Sequence, residues 1–508
     1  MRLNHEEYRQ KLLGCWLGKN IGGTLGAPME WERHLNDVSF YTQELGGEPL
    51  PNDDLDLQLL WLVALEEKGV DLDSHDMAEY WNLEVVANPA EYGVSKANLR
   101  VGLPPPLSGY FGNRDRDSCG CFIRSELWAC ICPGMPELAA RYARQDGIID
   151  HGNGEGIYGE IFFAALESAA FFISDLRDLL KIGLSYIPEN CGVANAVKTA
   201  IASYDAGDTW QTGRDEILRN HRGEAHQIQK IALEDVEKGF ADGKPCYDVP
   251  SNAAITVLGL LHGGEDFDRM ICTTVNCGED TDCTGATAGS IYGLIHGFDA
   301  IPERWVEPIG HGIRTVCLHP DFKNKLPENL EELTDRTEAL AYQVDRTYNQ
   351  NEAVVTDGAT EMSDVTAETF LAPNEGGDLY EDLEGPVYEF DCFTVYLDYG
   401  NDPLVRSGEE KSITVKIYNT HSLQTHLTLD WYLPHGWHVS PSDSGEVLSI
   451  PTILGIKPLT LTFTFTPDHV RRTTNRCILA IEVNSRPGVL LVPLTLLNGD
   501  FGACNPID

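Results

Sequence analysis

The chain has 508 residues, 42% of them hydrophobic and 23% charged, the balance of a soluble globular protein too long for one ordinary core. Its net charge of −42 excludes a nucleic-acid binder, because phosphate contacts need clustered Lys and Arg, and it disfavours adhesion to anionic membranes. So much acid is read as a solubility device rather than a partner surface.

The opening MRLNHEEYRQ has no basic segment leading into an apolar one, so no secretory leader is expected. No run of about 18 apolar residues occurs, so no membrane span is expected. Fourteen cysteines include no C-x-x-C and no His/Cys cluster with zinc spacing. Cys119/Cys121 and Cys130/Cys132 sit in apolar sequence and read as buried free thiols. A reducing cytoplasm is the expected location.

In chain order, residues 1–348 read as helices. LLGCWLGKNIGGTLGAPMEW opens them and is rich in glycine. LDLQLLWLVALEEKG repeats apolar residues at helical spacing and stops at Gly69. HDMAEYWNLEVV, PELAARYARQDGII, GEGIYGEIFFAALESAAFFISDL and SNAAITVLGLLHGGEDFDRMICTTVNCG continue the pattern, followed by residues 284–297 and EELTDRTEALAYQVDRTY. Sustained period-two alternation is missing before that point, so an all-α domain is predicted. Two helices carry small residues at close spacing: Gly14, Gly18, Gly22, Gly23 and Gly26, and Gly285, Ala286, Ala288, Gly289 and Gly293. Since glycine costs a helix about 1 kcal/mol relative to alanine, its repetition implies close helix packing or a backbone that approaches a ligand.

Residues 349–385 are acidic, weakly hydrophobic and contain Pro and Gly, the composition of a linker. From 386 to 508 the pattern turns strand-like in FTVYLDY, SITVKIYN, LTLDWYL, LTLTFTFT, CILAIEV and VLLVPLTLL. An immunoglobulin-like β-sandwich without the Cys-Trp-Cys framework is predicted. Trp431, Tyr432 and Trp437 are read either as its core or as a sugar platform.

Two acidic clusters each sit where a helix begins: Asn52-Asp53-Asp54, and Glu279-Asp280-Thr281-Asp282 followed by Cys283. A single aspartate at a helix start is ordinarily a cap worth about 1 kcal/mol. If the fold brings the two clusters together, their like charges require a cation. Oxygen donors of this kind suit Mg²⁺, with Mn²⁺ or Ca²⁺ as alternatives.

These segments, together with Cys119-Gly120-Cys121-Phe122-Ile123-Arg124 and DHGNGEGIYGEIFFAALESAAF, make residues 8–320 resemble the ADP-ribosylglycohydrolase family. VNCGEDTDCTGATAGSIYGLIHG is the most specific match, and the sandwich lies outside the resemblance. The resemblance implies hydrolysis of an N- or O-glycosidic bond to the ribose of ADP-ribose, commonly with two Mg²⁺ ions. It implies Asp53, Asp54, Asp280 and Asp282 as metal ligands, with Asn52 and Cys283, which stand where the family usually has threonine, as the further candidate metal residues. Sulfur is a poor partner for Mg²⁺, which leaves open whether one metal site is weakened, lost or completed by Thr284. The chain is thus read as a divergent branch.

Glycosidic cleavage passes through an oxocarbenium-like transition state and needs an oriented water and a base. Asp54 or Asp282 is the candidate base. Arg124 either meets an anionic substrate group or forms a buried ion pair. His151, Asn153, Tyr158 and Asn276 are candidate substrate contacts, each with a packing or loop-bonding role as the alternative. A small-molecule or glycosyl substrate is expected, with no nucleic acid, no membrane and a possible homo-oligomer. The competing readings are a non-catalytic binding or structural member of the fold, and a glycan-directed hydrolase using the sandwich.

Overall fold

The computed structural model describes residues 1–508 except 31, 223–229, 232–246, 350–353, 363–364, 374–384, 422, 453–454, 485 and 501–508. Parts of the expected linker and the last residues of the expected sandwich therefore lie outside the described residues. The chain divides into two compact units: Met1–Lys96 with Asn113–Tyr380, and Ala97–Gly112 with Glu381–Asp508.

The first unit is built of helices. Its first helix, His5–Gly26, starts at Asn4, whose side chain accepts from the amides of Glu6 and Glu7. This helix packs antiparallel on the Thr281–His296 helix with almost no side chain between them. A Cβ placed at Gly18 would lie 2.1 Å from the Gly289 carbonyl oxygen, and one at Gly22 would lie 2.0 Å from that of Gly285. Gly14 meets Gly293 and Gly26 meets Thr281 in the same four-residue rhythm. The glycine stripe is therefore a contact between two backbones. Its last rung sets the end of one helix against the start of the other, and Thr281 Oγ1 donates to the Gly26 carbonyl at 2.8 Å.

The Asp53–Lys68 helix buries the run Asp54–Leu65 and ends at Gly69, whose φ of 109° is open to glycine and strained for other residues. Part of the stretch read as a linker lies on this unit. Val355–Thr356 pairs in parallel with Leu3–Asn4, and the Phe370 ring packs 6.2 Å from that of Phe172. No helix among the described residues is long and apolar enough to cross a membrane.

The second unit is two five-stranded sheets. One runs, edge to edge, Trp437–Ser440, Leu459–Pro467, Lys411–Asn419, Phe393–Asp398 and Val387–Phe390. The other runs Ser444–Ser449, Thr425–Tyr432, Thr474–Val483, Val489–Asn498 and Leu404–Val405. All pairings are antiparallel except the last, where Leu404 pairs with Leu497 in parallel. Alternate residues such as Ile413, Val415 and Ile417 point inward and meet Leu427, Leu479 and Leu494 of the other sheet in one core. Leu103 and Leu107, far upstream in the chain, are buried in that same core. Trp431 and Trp437 belong to it too, which leaves only Tyr432 of the three aromatics exposed.

Candidate metal centre

Asn52 caps the Asp53–Lys68 helix: its side-chain oxygen accepts from the Asp54 amide at 2.7 Å, and its NH₂ faces Asp282 Oδ2 at 3.4 Å. Asp53 is half-buried and accepts from the Tyr92 hydroxyl at 3.1 Å. Asp54 turns fully inward. Asp56, two residues on, is spent on the amides of Val316 and Cys317, each at 2.7 Å.

At the second cluster Glu279 adopts a left-handed φ of 66°, rare outside glycine, and its carboxylate pairs with Arg222 at 2.8 Å. Asp280 follows at the N-cap position, yet its side chain caps nothing. Its backbone amide is held by Asn252 Oδ1 at 3.1 Å. Asp282 and Cys283 lie in the first turn of the Thr281–His296 helix. The Thr284 hydroxyl donates to the Asp280 carbonyl at 2.9 Å.

The two clusters converge. Ligand atoms of Asp54, Asp282 and Cys283 lie within 4.8 Å of one another, as do those of Glu30, Asp280 and Asp282. Asp282 is common to both triads. Asp54, Asp280 and Asp282 are only 1%, 2% and 5% exposed. Both oxygens of Asp54, and Oδ1 of Asp280 and of Asp282, are buried with no hydrogen-bond partner among the described residues. A buried polar atom left unpaired costs about 1–3 kcal/mol, and more when charged. Lys19 is a nearby cation, with Nζ 3.9 Å from Asp54 Oδ1, but it is primarily bound to Glu126 at 2.8 Å.

The titration behaviour follows. Burial, then the neighbouring Asp282, Asp53 and Asp54, pushes Glu30 up to about 10. Burial and the Asp53 charge raise Asp282 to about 6. Burial, and then Asp282 and Glu30, hold Asp280 well above the carboxylate range. Burial and the same carboxylates raise the Cys283 thiol. Unpaired buried oxygens, mutual repulsion and converging hard donors fit a divalent cation, which would satisfy all three at once. The residues present could therefore hold one. Glu30 escaped the sequence reading, although it stands in the glycine-rich opening segment four positions beyond Gly26, the rung that meets Thr281.

The remaining sequence candidates form other arrangements. Arg124 is fully buried, with its guanidinium on both oxygens of Asp150 at 2.9 and 3.0 Å and on Asp146, and it stacks over Trp81. Its role as an anion contact gives way to the alternative read beside it, the buried ion pair, because every side of the fork faces carboxylate or indole. His151 is also fully buried: Nδ1 meets Asp150 at 2.9 Å and Nε2 meets Ser118 Oγ at 3.3 Å. Burial lowers its pKa, but Asp150 and Glu91 outweigh that and raise it. The Asn276 amide pins Val38, accepting from its N–H at 2.7 Å and donating to its carbonyl at 3.0 Å. Asn153 and Tyr158 are half-buried around the start of the Glu155–Ala169 helix.

Two distant helix starts thus deliver buried carboxylate oxygens, without partners among the described residues, to one point, an acidic cluster that could bind a metal ion. Residues 4–348 match the model of the ADP-ribosylglycohydrolase family, and the chain belongs to that family. The chain is 24% identical to the ADP-ribosylhydrolase ARH3 of Danio rerio over 319 residues, covering 59% of this chain and 85% of the relative. It is 25% identical to an uncharacterized protein of Archaeoglobus fulgidus over 311 residues, 59% of this chain and 91% of that one. A solved ADP-ribosylglycohydrolase-related protein complex aligns with a TM-score of 0.44 and 18% identity, covering 67% of this chain and 99% of the other.

Proposed function

We propose that the chain is a divalent-cation-dependent hydrolase of a ribosyl glycosidic bond of the ADP-ribosyl type, acting on a small-molecule or glycosyl substrate. The observation that carries this reading is the convergence of unpaired, buried carboxylate oxygens from Asp54, Asp280 and Asp282 on one point, with Glu30 beside them. The family, and the ADP-ribosyl linkage in the name of the zebrafish relative, support the choice of bond.

Glu30, Asp280 and Asp282 would hold a hard cation such as Mg²⁺, and Asp53 and Asp54 complete the acidic wall. Such an ion supplies Lewis acidity toward ribose hydroxyls and water. Asn52 positions the wall by capping the Asp53–Lys68 helix with its amide oxygen. Asp282 is shared by both triads, so Asp54 is the better base: it keeps an oxygen to accept the water's proton. Burial pushes Asp54 well above the carboxylate range and Lys19, 3.9 Å away, only partly opposes it, so a bound cation would be what holds it ionised. Tyr158 and Asn153 are the candidate substrate contacts that are only half-buried. The cytoplasm fits the free thiol state of every cysteine among the described residues.

The test is turnover of ADP-ribosylated amino acids and of ADP-ribose esters with Mg²⁺ present. Asp54→Asn and Asp280→Asn are expected to lower kcat by at least about 10²-fold, as loss of a base or of a charge-stabilising group does. Wild-type turnover that persists in chelator would overturn the reading.

A further inference from the structure

The two triads at the centre are not chemically alike. Glu30, Asp280 and Asp282 offer oxygen alone, whereas Asp54, Asp282 and Cys283 offer two oxygens and a sulfur. The neighbouring hydroxyls are each anchored by the hydrogen bond they donate. Thr281 Oγ1 is bound to Gly26 and Thr284 Oγ1 to the Asp280 carbonyl. The Asn52 oxygen is bound to the Asp54 amide. Cys283 is 8% exposed, so its sulfur is held within the triad rather than free to turn to solvent.

Hard oxygen sites select Mg²⁺, Mn²⁺ or Ca²⁺, while a thiolate shifts selection to Zn²⁺, Co²⁺ or Fe²⁺. Magnesium also demands near-ideal octahedral oxygen geometry, which a thiol in the ring of donors breaks. Zinc accepts four donors of mixed O and S type with no geometric preference from its d electrons.

We infer that this is a graded centre: the all-oxygen triad takes a hard cation, the thiol triad takes a borderline one such as Zn²⁺ or Co²⁺, and Asp282 is common to both. The inference rests on reading these residues as a cation centre, and it adds the chemical identity of the second ion. On binding, the Cys283 S–H proton leaves to solvent and a sulfur–metal bond replaces it, with no change of oxidation state. Asp54, whose two oxygens are buried and unpaired and one of which lies in this triad, is the independent sign that a ligand belongs there.

The experiment strips the full-length protein with a chelator, then titrates it with Co²⁺ in the absence and presence of excess Mg²⁺. A sulfur-to-cobalt charge-transfer band in the near ultraviolet is expected, and Mg²⁺ should not displace it. Cys283→Thr should lose the band and weaken Zn²⁺ binding by calorimetry by roughly tenfold or more, the loss typical even of a supporting partner, while Mg²⁺ binding is kept. Cys283→Ser is the second variant, nearly matched in size, and circular dichroism checks that both are folded. Cobalt that binds without the band, or Zn²⁺ affinity unchanged in both variants, overturns the inference. If Mg²⁺ binds and supports turnover under that result, the hydrolase reading stands alone. If no divalent cation binds at all, both fall together.

Discussion

At the scale of single residues the acidic cluster is expected to cost stability that a bound cation would relieve. Burial and its neighbours hold Asp280 well above the carboxylate range, so folding must neutralise a group that is charged in the unfolded chain; Asp280→Asn removes that cost, and the cation-free protein should become more stable. A gain of about 1 kcal/mol, read as a rise of roughly 2 °C in the melting midpoint, is expected, along with loss of the further rise that Mg²⁺ gives the wild type. A fall in the cation-free midpoint would contradict that cost. Arg124 behaves in the opposite sense. Removing a buried charge that serves two carboxylates costs about 3–5 kcal/mol, so Arg124→Ala should unfold at much lower denaturant. Arg124→Lys should not rescue it, because an ammonium cannot reproduce the fork on Asp150. Lys11 supplies the pH dependence. Burial, opposed by Glu7, lowers it from 10.5 to about 8, and its ammonium donates to the carbonyls of Ala170, Leu294 and Ile295. The unfolded chain then binds more protons than the folded one between about pH 8 and 10.5, so this residue makes stability rise with pH through that window. The gain is at most about 3 kcal/mol, and Lys11→Met should flatten that part of the denaturation profile against pH.

At the scale of elements, the positions of Asp54, Asp280, Asp282 and Cys283 were legible because each lies at a helix start that apolar periodicity marks. What local pattern could not reveal is which of them is free. An aspartate ahead of a helix ordinarily caps it, and only the fold discloses that Asp280 does not. Glu30 was not legible at all, since a lone glutamate after Pro-Met carries no periodic signal and matters only through its distant neighbours. The glycines announced either close packing or ligand approach, and the backbone contacts between Gly18 and Gly289 and between Gly22 and Gly285 decide for packing. Gly22→Ala must therefore push two backbones apart. It is expected to lose cation binding by calorimetry as well as stability, whereas Gly312→Ala, with nothing within 4 Å of the added carbon, should stay within about 0.5 kcal/mol of wild type.

At the scale of the whole molecule, the change from helical to strand periodicity marked the second domain, but Leu103 and Leu107 show what composition hides. They sit in a proline-rich stretch among helices, and their burial depends on strands almost 300 residues later. Deleting residues 381–508 should therefore leave these two leucines without a core. The truncated chain is expected to aggregate, and Leu103→Ser with Leu107→Ser should restore much of its solubility, as measured by light scattering. Equal solubility of the two truncated forms would show that the stretch finds another place to bury itself.

The glycine seam has a metrological consequence. Two helices separated by side chains can slide while those side chains change rotamer, but a seam of backbone against backbone has no such play. A slip of one residue is about 1.5 Å along the axis, far beyond the few tenths of an ångström that a coordination bond tolerates. The seam thus works as a gauge block: it fixes the distance from Glu30 to Asp280 and Asp282 before any ion arrives. On the proposed reading cation affinity would then be a sensitive measurement of helix register, and glycines that touch no ligand would belong to the specification of the centre as fully as the carboxylates do.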